Sequence, residues 1–167
     1  MLTFTLRTSS MIFTFSSTST GKDSATGQFG EVRVISISKA FGHHKFICKN
    51  VNLSTQTTNT LLTNKLAQEQ NILIPIAHGE GRYHADAETL KMLNDNDQVL
   101  FRYCDADGKI TDEANPNGAL ENIAGVCNEG RNVFGMMPHP ERAADEELSN
   151  TDGRTLFESI LAAVEVA

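Results

Sequence analysis

The chain lacks any cluster of basic residues. Its 14 Lys and Arg are outnumbered by 21 Asp and Glu, for a formal charge of -7, and no basic run interrupts the sequence. A chain so charged offers no general attraction to nucleic acid or to an anionic membrane surface. Cysteine is also scarce: Cys48, Cys104 and Cys127 are an odd number with no CxxC pair, which speaks against a disulfide framework and against a structural zinc site. That usage fits a reducing, cytoplasmic compartment. No apolar run approaches the roughly 20 residues that a membrane-spanning helix needs, and no internal repeat is visible. What remains is one domain's length of chain, 167 residues with 40% hydrophobic content, enough for a real core.

Two compositional parts follow one another. Residues 1–26 hold 13 Ser or Thr and no acidic residue before Asp23. Such a Ser-rich, acid-poor stretch reads as a transit peptide poor in Arg, or as a short strand in which Leu2, Phe4 and Leu6 alternate with polar residues. A second alternating run, EVRVISIS at residues 31–38, has the look of an edge strand. From His44 the texture becomes that of an α/β domain. KFICKNVNL (residues 45–53), ILIPIAH (72–78, interrupted by Pro75) and QVLFRYC (98–104) predict strands, and DAETLKML (86–93) predicts a helix capped by Asp86. DADGKITDEANPNGA (105–119) is a long loop of the kind that serves as a functional surface. ENIAGVCN and NVFGMMP flank Glu129, Gly130 and Arg131 and predict a hairpin. A final helix from about Asp152 carries Leu156, Phe157, Ile160, Leu161 and Val164 as one apolar stripe.

Two constellations carry chemistry. In MPHPER, His139 and Glu141 stand two apart in a stretch that the prolines hold extended, so their side chains project to one side. A carboxylate beside an imidazole fixes its tautomer and stabilises the imidazolium, which suits a general base; a histidine hydrogen-bonded in a Pro-rich turn is the plainer alternative. In HGEGRYH, His78, Gly79, Glu80 and Gly81 sit at a strand end, where α/β folds place ligands, and predict a substrate or partner loop. A metal site built from His78, Glu80 and His84 is the weaker reading, because no helical register puts them on one face.

The remaining question is whether a cysteine completes the pair. With the hairpin turning at Gly130 and Arg131, Cys127 faces Phe134. His139 then lies five residues further on, about 16 Å away at roughly 3.3 Å per residue. A nucleophile works within about 3 Å of its base. Cys127 is therefore read as a small apolar core residue, and Cys104, beside Asp105 and Asp107, as inert.

PIAHGEGRYHAD, FRYCDADG, NPNGALENIAGVCNEGRNVFGMMPHPER and DGRTLFESIL together resemble the C-terminal half of PurQ-type class I glutamine amidotransferases, the glutaminase subunits of phosphoribosylformylglycinamidine synthase. The likeness runs from about His44 to Leu161. It implies a flavodoxin-like, doubly wound parallel α/β sheet, incomplete at its N-terminal side, preceded by residues 1–42 that share no likeness with the family. It also implies an apolar sheet edge left open there, which residues 31–38 partly patch unless residues 1–42 are a tail foreign to the domain. By the same resemblance, His139 is the general base and Glu141 its orienting acid. His78, Gly79, Glu80 and Gly81 line the glutamine pocket or a partner face, and Cys48 lies on a structural strand. The implied activity is hydrolysis of glutamine to glutamate and ammonia for de novo purine biosynthesis. The implied partners are a synthetase subunit, which uses ATP and Mg to amidate formylglycinamide ribonucleotide, and a small accessory subunit; this chain needs no cofactor of its own. One departure is severe. The family's nucleophilic Cys stands upstream in a strand-elbow-helix segment, and residues 1–42 contain no cysteine. The chain is thus expected to be a very poor glutaminase alone, and a non-catalytic module that docks on the synthetase, through the 105–119 loop among other surfaces, is the alternative.

Overall fold

The structure, a computed structural model, describes residues 2–7, 10–15, 46–79 and 82–165. Among these residues the strands are β1 (Leu2–Arg7), β2 (Ser10–Phe15), β3 (Ile47–Thr55), β4 (Asn71–His78), β5 (Val99–Cys104), β6 (Ile123–Cys127) and β7 (Val133–Met136), and the α-helices are α1 (Ala87–Asp95) and α2 (Arg154–Glu165). The strands form one sheet in the order β1-β2-β7-β6-β5-β3-β4. Every pairing is antiparallel.

This corrects the expectation of a doubly wound parallel sheet. Adjacent parallel strands require a crossover of a dozen or more residues, usually a helix, and only α1 lies between two described strands. Even that crossover does not make neighbours, because β4 and β5 flank β3 on either side. The chain turns back between neighbouring antiparallel strands from β1 to β2, β3 to β4, β5 to β6 and β6 to β7. Alternating hydrophobicity identified the strands but carried no information on their direction.

The sheet is curled rather than flat. Met137 donates its N–H to Ala124 on β6 (3.0 Å), and His139, two residues later, donates its N–H to Pro75 on β4 (2.8 Å). In a flat sheet β6 and β4 would stand about 14 Å apart, whereas two residues of chain reach about 7 Å. Curling brings the end of β7 round to the far edge and yields a half-barrel.

Pro75 is tolerated because β4 is an edge strand. Leu73 and Pro75 share a parity, and both turn their backbone groups outward. Leu73 N–H donates to Asp152 Oδ2 (2.8 Å) and Leu73 C=O accepts from Asn150 Nδ2 (2.6 Å). The donor that proline lacks would have pointed away from the ladder. At the opposite side β2 pairs with β7, Met11 opposite Met136 and Thr14 opposite Val133. The first residues of the chain therefore occupy an edge that was expected to lie open; the run at residues 31–38 falls outside the described residues.

The core is built by alternation. On β4, Ile72, Ile74, Ile76 and His78 point inward while Asn71, Leu73, Pro75 and Ala77 are half-buried. Leu53, Phe101, Tyr103, Ile123 and Phe134 fill the same interior. Asp86 caps α1, accepting the Thr89 N–H at 2.7 Å. Helix α2 docks through Leu156 and Ile160 and through Ser159, whose hydroxyl donates to Thr155 C=O and accepts the Lys65 N–H. Leu161, expected in that stripe, is 62% exposed. It stands one residue beyond Ile160, about 100° round the helix. The side chain of Val164 falls outside the described residues.

Leu156→Ala is expected to lower unfolding free energy by about 2–5 kcal/mol, and Leu161→Ala by less than about 0.5 kcal/mol. Urea unfolding of the two variants checks the orientation of α2.

Candidate active site

His139 leaves β7 in a partly extended conformation (φ -109, ψ 85), and Pro140 then opens a 3-10 turn, Pro140–Ala143. Proline suits that first position because its missing N–H has no partner there and its φ is already helical. The two prolines were expected to keep the whole stretch extended. Instead the turn brings Glu141 back beneath the imidazole, and Glu141 Oε1 lies 3.0 Å from His139 Nδ1. Arg142 Nε stands 3.6 Å from the same carboxylate oxygen.

With the carboxylate at Nδ1, that nitrogen carries the proton and Nε2 keeps its lone pair. His139 is buried, and Nε2 has no hydrogen-bond partner among the described residues. The pair is thus an imidazole oriented by a carboxylate, an arrangement that could serve a general base.

The turn is held from behind by Gly153, whose N–H donates to Ala143 C=O at 2.7 Å. A β-carbon at this position would stand 2.2 Å from the carbonyl oxygen of Pro140. Backbone, not a flexible side chain, blocks it. Ala143 itself is fully buried.

His78 ends β4 and is 3% exposed. Its Nε2 lies 3.2 Å from Asn117 Nδ2, while its Nδ1 is buried without a partner among the described residues. Burial pushes its pKa down, and the nearby charge of His139 pushes the same way. The Tyr103 phenol, fully buried, lies against the Asn117 amide; burial drives its pKa well up, and a hydrogen bond with Asn117 acts in the opposite direction. Asn117 belongs to a loop organised by asparagine side chains: Asn115 Oδ1 accepts the N–H groups of Asn117, Gly118 and Ala119. Gly118 takes a left-handed backbone (φ 71) there, as glycine readily does.

Of the other expected site residues, Gly79 is exposed and packs near Phe46. Glu80 and Gly81 lie outside the described residues. Among the described residues no group of three or more His, Cys, Asp or Glu stands ready to hold a metal ion. Asn117 and Tyr103 were not singled out from sequence. The signal available was the density of asparagine in NPNG, a composition that also fits an ordinary surface turn.

Of the three thiols, Cys104 and Cys127 are buried and Cys48 is exposed. Cys127 pairs with Phe134, the register expected, and the turn beyond it is closed by Asn128, whose Oδ1 accepts the N–H groups of Asn132 and Val133. Burial raises the pKa of Cys127 to about 11, the charge of Arg131 only partly opposing it. Burial, then Asp105, raises that of Cys104 to about 11 as well. Cys48 lies on β3 opposite Ala77 and is exposed.

These features describe a glutamine amidotransferase domain. The chain belongs to the CobB/CobQ-like glutamine amidotransferase domain family, whose profile matches residues 39–158. It is 53% identical over 120 residues to the phosphoribosylformylglycinamidine synthase subunit PurQ of Koribacter versatilis, covering 72% of this chain and 52% of that one. It is 55% identical over 116 residues to the subunit of the same name from Acaryochloris marina, covering 70% and 49%. A solved structure described as PurLQS from Thermotoga maritima matches with a TM-score of 0.58 and 42% identity over 72% of this chain and 49% of that one. The chain spans about half the length of the curated relatives it matches.

Two expectations follow from this geometry. Gly153→Ala should cost about 1–3 kcal/mol by overpacking and should displace the turn that carries Glu141, detectable as a lowered urea midpoint and altered His139 imidazole resonances. For His78, the folded pKa lies below the unfolded value. The unfolded chain therefore takes up a proton first as pH falls below about 6.5, and stability drops from there towards the folded pKa, by at most about 1.4 kcal/mol per pH unit. His78→Gln, which keeps an acceptor for Asn117, should flatten that part of the urea-midpoint profile between pH 7.5 and 6.0.

Proposed function

We propose that this chain supplies the base and orienting acid of a PurQ-type glutaminase, serving the amidation step of phosphoribosylformylglycinamidine synthase, and that none of its own cysteines is the nucleophile. The supporting observation is the His139 Nδ1 contact with Glu141 Oε1 at 3.0 Å, with Nε2 buried and open.

In this reading Nε2 takes the proton of an attacking thiol while Glu141 stabilises the imidazolium. The thiolate adds to the carboxamide carbon of glutamine. His139 returns the proton to the departing nitrogen, releasing ammonia and leaving a glutamyl thioester. Water, activated by the same imidazole, then frees glutamate and restores the thiol. The thiol must come from outside the three positions described above, because Cys127 and Cys104 are buried with raised pKa values and Cys48 faces away from the core. The synthetase and its accessory subunit are the partners this reading calls for, with ATP and Mg held by the synthetase. The placement of the thiols also favours a second reading, in which the chain docks on the synthetase without chemistry.

Ammonia release from glutamine is the test. The purified chain, alone or with synthetase and accessory subunits, should release none above a heat-treated control. Adding the part of the Acaryochloris marina subunit that this chain does not span should restore release, and His139→Ala should reduce it roughly a thousandfold or more. Release by the chain alone that vanishes in Cys127→Ser would overturn the proposal. Binding to the synthetase with no release in any mixture would favour the docking module.

A further inference from the structure

The hydrogen bonds around Asn117 settle which ring nitrogen of His78 carries the proton. Asn117 Oδ1 accepts the N–H of Ala119 at 3.1 Å, a donor it shares with Asn115 Oδ1, so the oxygen end of the amide faces Ala119. The Nδ2 end, a donor only, is therefore the atom 3.2 Å from His78 Nε2. Nε2 must accept, and the proton must sit on Nδ1. Asn117 is 1% exposed and His78 3%, so no solvent offers either group a substitute.

The outcome is an N–H donor on a buried ring that finds no acceptor among the described residues. Leaving such a donor unpaired costs about 1–3 kcal/mol, and native interiors rarely carry one without a reason. His78 lies close enough to His139 for their charges to interact, and the two rings have complementary open atoms: an acceptor at His139 Nε2 and a donor at His78 Nδ1. A protonated His78 would turn a second N–H against the Asn117 amide, so the arrangement keeps the ring neutral.

We propose that Asn117 is a positioning residue that locks His78 as a neutral imidazole with its proton on Nδ1, and that this N–H donates to an acceptor oxygen of the bound substrate. The substrate part rests on the reading of the site as one for glutamine. The chain needs no further group for this role, since a neutral donor binds a carbonyl or carboxylate oxygen without surrendering its proton.

The test uses the full 167-residue chain labelled with nitrogen-15 in its histidines, observed by imidazole proton–nitrogen correlation at neutral pH. His78 should show a protonated Nδ1 and an unprotonated Nε2. Asn117→Asp keeps the acceptor for Ala119 but places a carboxylate at Nε2, and should move the proton to Nε2 and raise the His78 pKa. A residue that only fills space would leave the tautomer unchanged in that variant. Glutamine should then shift the Nδ1 resonance of His78 in the parent chain and leave it unshifted in Asn117→Asp. A protonated Nε2 in the parent would overturn the lock. Glutamine that shifts His139 but not His78 would overturn the donor role and leave the glutaminase reading standing; glutamine that shifts neither would overturn both.

Discussion

The bond from His139 N–H to the Pro75 carbonyl joins the segment leaving β7 to β4, the strand at one end of the sheet. It ties the exit of β7 to the outer edge of β4, so the sheet must curl, and His139 is thereby fixed to the strand that ends in His78. Proline at position 75 contributes by what it lacks. With no N–H, it presents only an acceptor to the outside, which His139 takes. Leu73 takes Asn150 and Asp152 in the same way, so the exposed edge of β4 is spent on positioning the site rather than left as a template for another strand.

The site inherits its precision from this edge. Glu141 reaches His139 because Pro140 starts a turn at the point where the backbone is already anchored, and Gly153 lets the loop before α2 press against that turn. The helix is in turn held by Leu156 and by Ser159 against the 60–66 segment. Local chemistry, strand edge and helix docking thus act in series, and a fault in any of them reaches the imidazole.

Much of this was legible in the sequence where the information is local. The hairpin register, with Cys127 opposite Phe134, follows from counting outward from the turn. The Asp86 cap is equally local. The pairing of His139 with Glu141 was legible too, although through an extended backbone rather than the turn that Pro140 begins. Strand direction was not legible: periodicity of two marks a strand and says nothing of its neighbours, so a parallel sheet was expected where an antiparallel half-barrel stands. Leu161 looked like core because hydrophobic character was read without its angle on the helix. Asn117 was invisible because a buried, fully engaged asparagine and an exposed turn asparagine have the same letter; only the positions of Ala119 and His78 tell them apart.

The central proposal is that His139 and Glu141 act as base and orienting acid and that none of the chain's own thiols is their nucleophile. A chloroketone analogue of glutamine, which alkylates a nucleophile held beside the substrate, tests this most directly when combined with peptide mapping and with excess glutamine as a protectant. The account predicts no glutamine-protected labelling of Cys48, Cys104 or Cys127. Labelling of Cys127 or Cys104 that glutamine suppresses would place a working thiol beside the substrate and contradict it.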